Sequence, residues 1–205
     1  MIKNIIFDFD GVILDSVPVK TEAFIKLFQD YEKQYIDKLV EYHLKNGGKS
    51  RYLKIQYFFE DILGQSIKEN TINEFAIKYS QLTKEELSNK KYLITDTIEF
   101  IKLNYTKYNL HIASGADKKD LKYICDNLDL TKYFLSINGS PTVKSEIVRE
   151  ILKNYDYKRE ETILIGDSIN DYEAAKYNRI EFYGYKNENL VKLNKYIKSF
   201  KSIKI

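Results

Sequence analysis

The chain has 205 residues, with 33 Lys and Arg against 30 Asp and Glu and 43% hydrophobic residues, enough for one sizeable core or for one core plus a small accessory domain. A formal charge of +3 is too small to point to nucleic acid by itself, and a single Cys excludes a disulfide framework and an all-Cys metal cage. No apolar run reaches the length of a membrane span, and MIKNIIFDFDG places acids directly after its short apolar run, unlike a secretory signal; the expectation is a soluble cytoplasmic protein.

Asn4-Ile5-Ile6-Phe7 is short, apolar and β-branched and breaks at Asp8-Phe9-Asp10-Gly11, which predicts a buried strand ending in a polar turn. From residue 18 to about 89 the spacing is helical instead: Phe24, Leu27 and Phe28; Ile36, Leu39 and Val40; Leu53, Ile55, Phe58 and Phe59; Ile72, Phe75 and Tyr79. Breakers at Asn46-Gly47-Gly48 and Gly64 separate these runs into a small helical bundle.

Beyond residue 95 helices and strands alternate. A helix over Ile98–Leu103 precedes the strand Leu110–Ala113, which ends at Ser114-Gly115. A helix with Leu121, Ile124 and Leu128 precedes the apolar run Phe134–Ile137, and a helix over Val143–Leu152 precedes Thr162–Ile165, which ends at Gly166-Asp167. A helix near Tyr172–Tyr177 and a strand Ile180–Tyr183 follow. This alternation calls for a parallel sheet with right-handed crossovers. The fold class is therefore α/β, a Rossmann-like parallel sheet core (residues 1–14 and 92–205) with an inserted α-helical cap domain (residues 15–91). Residues 184–205 hold six Lys against one Glu. Lys192, Lys195, Lys198, Lys201 and Lys204 among Leu193, Ile197, Phe200 and Ile203 predict an amphipathic terminal helix with a solvated lysine face.

Ligands of open α/β sheets bind at the carboxyl ends of the strands. Those ends gather Asp8, Asp10, Ser114 and Asp167, with Asp171 just inside the next helix and Lys144 opening the helix before the Thr162–Ile165 strand. Carboxylates crowded this way repel unless a hard cation neutralises them, and an all-oxygen set favours Mg²⁺. Acids, Lys, Ser and turn amides together suit a phosphate ester. Each piece alone has a plainer reading: Asp171 as a first-turn acid, Lys144 as a solvated lysine, Ser114-Gly115 as a turn. Their order and placement together are what a plain reading does not explain.

FDFDGVILDS, IASG, Lys144 and GDSINDYEAA resemble, in order, the motifs of the haloacid dehalogenase superfamily, most closely its phosphoglycolate phosphatase and β-phosphoglucomutase branch. The resemblance implies Asp8 as nucleophile forming an aspartyl-phosphate and Asp10 as general acid and base. It implies Mg²⁺ on Asp8, Asp167, Asp171 and the main-chain carbonyl of Asp10. Ser114 and the turn amides near Gly11 and Gly115 would bind phosphoryl oxygens, and Lys144 would neutralise Asp8 and phosphate. Asp10, Asp167 and Asp171 argue against a dehalogenase, and Asp10 against the phosphonate-cleaving branch. Expected is a Mg²⁺-dependent phosphatase of a small soluble phosphate monoester, with a sugar phosphomutase as the alternative and a non-catalytic scaffold behind both. The partner would be a small phosphorylated metabolite, with no nucleic acid and no membrane, the chain being a monomer or weak dimer.

Substrate choice would fall to the cap loop Gly48-Lys49-Ser50-Arg51, where Lys49 or Arg51 could meet an anion or sugar hydroxyls. The same loop also reads as an ordinary helix-helix turn with Ser50 as N-cap and Arg51 solvated. No second cap lysine stands out as a partner for Arg51 on a second phosphate, which favours hydrolysis over a mutase. Ile94-Thr95-Asp96-Thr97 replaces the usual Pro-Gly after the cap, with Thr95 or Asp96 as the expected N-cap. Lys132 is the second candidate for the Lys144 role. Cys125 and His111 read as structural, and neither His43 nor His111 shows ligand spacing.

Overall fold

The computed structural model describes residues 1–193 and 195–203. Strands β1 (Asn4–Phe7), β2 (Asn109–Asp117), β3 (Ser136–Ser140), β4 (Thr162–Gly166), β5 (Glu181–Tyr185) and β6 (Lys195–Ile197) form one parallel sheet of order β3-β2-β1-β4-β5-β6. Alternation along the strands sends side chains to opposite faces. Ile5, Phe7, Ile163 and Ile165 pack with Ile98 and Ile101 of α5 (Thr95–Asn104) and Leu121 and Ile124 of α6 (Lys118–Asn127). Ile6 and Leu164 pack with Ile147, Val148 and Ile151 of α7 (Lys144–Asn154) and Ala174 and Ala175 of α8 (Ile169–Asn178). The strand order turns at β1, with β2 and β3 on one side and β4 to β6 on the other. The crevice at such a switch point is where the fold accepts a ligand.

Between β1 and α5 the chain forms α1 (Val17–Leu27), α2 (Lys33–Lys45), α3 (Arg51–Tyr57), a π-helical turn (Phe58–Ile62) and α4 (Glu69–Leu87). These helices bury a separate aromatic cluster that includes Phe24, Phe28, Phe58 and Tyr79. Where the chain enters and leaves this bundle, the two segments pair: Asp15 N donates to Tyr92 O at 2.8 Å and Ile94 N to Ile13 O at 3.0 Å. Among the described residues no helix is long and apolar enough to cross a membrane.

Three local expectations need correction. Among the described residues the C-terminal segment holds no α-helix: it forms β6 and a short 3₁₀ turn at Phe200–Ser202, while Lys204 lies outside the described residues. Lysines at every third position sweep round an α-helix by roughly 60° per step instead of holding one face. Ile197 and Phe200 bury themselves at the sheet edge instead, Phe200 against Phe7, Phe100 and Tyr185. Second, neither Thr95 nor Asp96 caps α5 with its side chain. Asp96 instead accepts from Tyr185 OH at 2.8 Å, Ser199 Oγ at 3.0 Å and Phe200 N at 3.0 Å, tying the C-terminal segment to the core. Third, β2 does not end at Ser114 but continues to Asp117, with irregular pairing to β3 between Ala113 and Asp117.

Candidate active site

Asp8 follows the last residue of β1, and its amide donates to Ile165 O of β4 at 2.8 Å, which locks the turn to the sheet. One carboxylate oxygen, Oδ1, takes the Phe9 amide at 2.7 Å and Lys144 Nζ at 2.9 Å. Lys144, the first residue of α7, reaches across to Asp171 Oδ1 as well. Asp171, in the first turn of α8, receives Ser168 N at 3.0 Å and Ser168 Oγ at 2.6 Å on its other oxygen, closing a capping box that fixes its direction. Lys132 instead pairs with Asp129 on the exposed surface, so Lys144 is the lysine brought to Asp8.

Carboxylate oxygens of Asp8, Asp167 and Asp171 lie within 4.8 Å of one another. Burial, reinforced by Asp171, pushes the Asp8 carboxyl well above the usual carboxylate range, and the same two causes raise Asp167 to about 7. Burial pulls on the Lys144 ammonium, but Asp171 and Asp8 outweigh it and hold the lysine charged. One ammonium against two buried carboxylates and a half-buried third leaves excess negative charge, and the donors are all oxygen. This set fits a hard divalent cation. The Asp10 side chain is not in this cluster. It turns toward the helical insert, taking Ser16 Oγ and Lys20 Nζ at 2.5 Å each. Burial pushes the Asp10 carboxyl up, but Lys20 and Ser16 overcome this and hold it below its ordinary value.

Ser114 is fully buried, and its Oγ accepts the Ala116 amide at 3.0 Å. Gly11, at φ +74°, donates its amide to Leu14 O at 2.8 Å, and a methyl there would overlap the Asp167 carboxylate. Gly11 therefore serves close approach to Asp167, and its amide is already engaged. Gly115 serves close approach too: its missing side chain makes room for the Gly48 carbonyl of the loop between α2 and α3. That loop thus lies directly on the end of β2, while Gly48 also faces Ser168 and Asn170. A Gly115→Ala variant must lift this loop. The expected result is a loss in kcat/KM of about 100-fold, as for a misplacement near 1 Å, with thermal unfolding nearly unchanged; steady-state kinetics and a melting curve check it.

Beneath the loop is a cavity of about 460 Å³ whose wall includes Asp10, Asp167, Ser168 and Gly115 from the sheet side and Lys20, His43, Lys49, Arg51 and Lys54 from the helical insert. Ser50 caps α3, accepting the Leu53 amide at 3.4 Å. Arg51 is buried rather than solvated. Its Nη1 lies 2.5 Å from Ser80 Oγ and 2.7 Å from Asp120 Oδ2 of α6, an ion pair without hydrogen-bond geometry, and its guanidinium stacks over Tyr79. The expectation that Arg51 awaits an anion is thereby corrected: its charge joins the insert to the core. Lys49 donates to Tyr42 OH at 3.1 Å.

Of the cap-side residues lining this cavity, Lys20 and Lys54 belong to no motif in the sequence. The usable signal for Lys54 was its position three residues after Arg51, on the same face of one helix. Lys54 Nζ meets His43 Nδ1 at 2.9 Å. Burial and then Lys20 pull the Lys54 ammonium down to about 7, and burial and then Lys54 take His43 down to about 3, leaving the imidazole neutral. His111 and Cys125 are buried in the core, His111 between Ser136 Oγ at 2.8 Å and Tyr157 OH at 3.0 Å.

Residues 5–185 match the family described as haloacid dehalogenase-like hydrolase. The chain is 28% identical over 193 residues to a phosphorylated carbohydrates phosphatase of Thermotoga maritima, covering 89% of this chain and 84% of the relative. It is 26% identical over 184 residues to a phosphoglycolate phosphatase of Vibrio parahaemolyticus, covering 85% and 79%. In fold it is similar to a β-phosphoglucomutase structure from Clostridium difficile, with a TM-score of 0.80 over 100% of this chain and 94% of that one at 16% identity. With the family pattern running from the first strand of the sheet through its fifth, over the whole acid cluster, this chain belongs to the haloacid dehalogenase-like hydrolases.

Proposed function

We propose that the chain is a Mg²⁺-dependent phosphatase that hydrolyses a small soluble phosphate monoester, of a sugar, polyol, amino alcohol or glycolate, through an aspartyl-phosphate on Asp8. The observation that carries this reading is Asp8 itself, held against Lys144 beside two further carboxylates at the switch point of the sheet. The phosphatase names of the relatives support the same class.

Residues 1–14 and 92–205 act as the catalytic core and 15–91 as a cap, the paired segments at Ile13–Asp15 and Tyr92–Ile94 joining them. Asp8, Asp167, Asp171 and the Asp10 carbonyl would hold Mg²⁺, which when bound screens the phosphoryl charge from the anionic nucleophile. Lys144 fixes the Asp8 carboxylate through Oδ1 and supplies positive charge to the same place. The Ser114 hydroxyl, its proton still free to donate, and the Gly115 amide would bind the phosphoryl oxygens, the Ala116 amide being engaged by Ser114 Oγ. Asp10, held ionised by Lys20 and Ser16, is set to take a proton from the water that cleaves the aspartyl-phosphate. To protonate the leaving alkoxide in the first half, Asp10 must carry a proton, and that exchange runs beside Lys20. The loop at Gly48, seated against Gly115 and facing Ser168 and Asn170, would exclude water during the reaction.

Lys20, Lys49 and Lys54 on the cap side give one specific support to the second reading, a sugar phosphomutase, because a mutase must seat a second phosphate. A panel of small phosphate esters assayed with Mg²⁺ separates the two. Inorganic phosphate release, abolished by EDTA and restored by Mg²⁺, is the expected result. Isomer exchange in the presence of a bisphosphate, with no phosphate release from any ester, would replace the phosphatase reading.

A further inference from the structure

Cations on the cap side of the cavity stand in two different situations. Lys20 and Arg51 each face a carboxylate, Asp10 at 2.5 Å and Asp120 at 2.7 Å. Lys54 is only 3% exposed, and among the described residues no carboxylate is in ion-pair range of its ammonium. Its partner is the neutral His43 ring at 2.9 Å. When charged, the Lys54 ammonium can only donate, so in that state Nδ1 of His43 accepts and the ring proton sits on Nε2. That Nε2 is buried without a hydrogen-bond partner among the described residues. A desolvated ammonium with no counter-ion, next to an N–H with no acceptor, is a costly pair to maintain in the wall of a cavity. Nearby Lys20 and Lys49 raise the local positive charge further. A second negative group on the bound molecule would supply the counter-ion that Lys54 lacks.

We propose that Lys54, positioned by His43, is a specificity-determining subsite for a second anionic group, a carboxylate or a second phosphate, on the alcohol part of the substrate. This rests on the reading that the first phosphate sits at Asp8. With the phosphoryl group at Asp8, beside Asp167 of the cavity wall, the leaving group would extend through the cavity toward the cap side, where Lys54 stands. Arg51 does not supply this charge, being held by Asp120.

The test is calorimetric binding in the presence of Mg²⁺ to the full chain carrying Asp8→Asn, which removes the nucleophile, so that binding is read apart from turnover. Two matched pairs of esters are compared: phosphoglycolate with ethyl phosphate, and a hexose bisphosphate with the corresponding monophosphate. The doubly anionic member of at least one pair should bind about 10- to 100-fold more tightly, the range of a hydrogen bond to a charged group. Which pair shows the difference tells carboxylate from phosphate. Adding Lys54→Gln or Lys54→Met should bring that ratio close to one, and because a ratio is read within each protein, a general weakening does not mimic the effect. Equal affinities within both pairs, or a preference that survives both substitutions, would overturn the subsite. Failure of the phosphatase reading shows separately, as no phosphate release by the unsubstituted chain.

Discussion

Asp8→Asn is expected to lower kcat by roughly four orders of magnitude or more, the scale seen when a covalent nucleophile is removed. The amide keeps the shape of the carboxylate and can still accept from the Phe9 amide and Lys144, so the turn after β1 has no reason to move. What is lost is the anion that attacks phosphorus. The same substitution takes one of three crowded carboxylates away, which relieves repulsion in the metal-free protein. The thermal midpoint in EDTA should therefore hold or rise while activity disappears. A melting curve beside the kinetic assay separates this outcome from simple misfolding.

Lys144→Ala is expected to damage both function and fold. The ammonium is buried and is shared between Asp8 and Asp171, so truncation leaves the carboxylate cluster without its protein cation. Breaking one side of a buried ion pair costs about 3 to 5 kcal/mol, a large part of the stability of a domain this size. Denaturant unfolding in EDTA should show a loss of that order, and Mg²⁺ should recover part of it, since a cation that binds only the folded chain stabilises by mass action. Turnover should remain low even at saturating Mg²⁺, because Asp8 is no longer fixed through Oδ1. A variant as stable and active as the parent would show that Lys144 is only a bystander.

These two residues and the acids around them could be read from the chain because each follows or opens a regular element. Asp8 and Asp167 come directly after short apolar strands, and Lys144 and Asp171 fall in first helical turns. Local pattern was enough there, since the strand order brings those ends together whatever the loops do. Lys20 and Lys54 were less legible. Each is one lysine on a charged helix, and its importance comes from tertiary partners, Asp10 ten residues away for Lys20 and His43 from a different helix for Lys54. Arg51 shows the opposite case: the loop pattern pointed to an anion, but the anion it meets is Asp120 of the chain itself. In the C-terminal segment regular lysine spacing suggested a helix, yet the open edge of β5 and the aromatic pocket for Phe200 decided the outcome. Edge pairing and burial are non-local, and neither leaves a periodic mark in sequence.

The proposed reaction runs through two successive displacements at phosphorus, the first by Asp8 and the second by water. The most direct measurement uses a phosphate ester made chiral at phosphorus with oxygen isotopes and reads the configuration of the released phosphate. Two in-line displacements predict net retention. Inversion would mean that water attacks the ester directly, and would contradict an aspartyl-phosphate on Asp8.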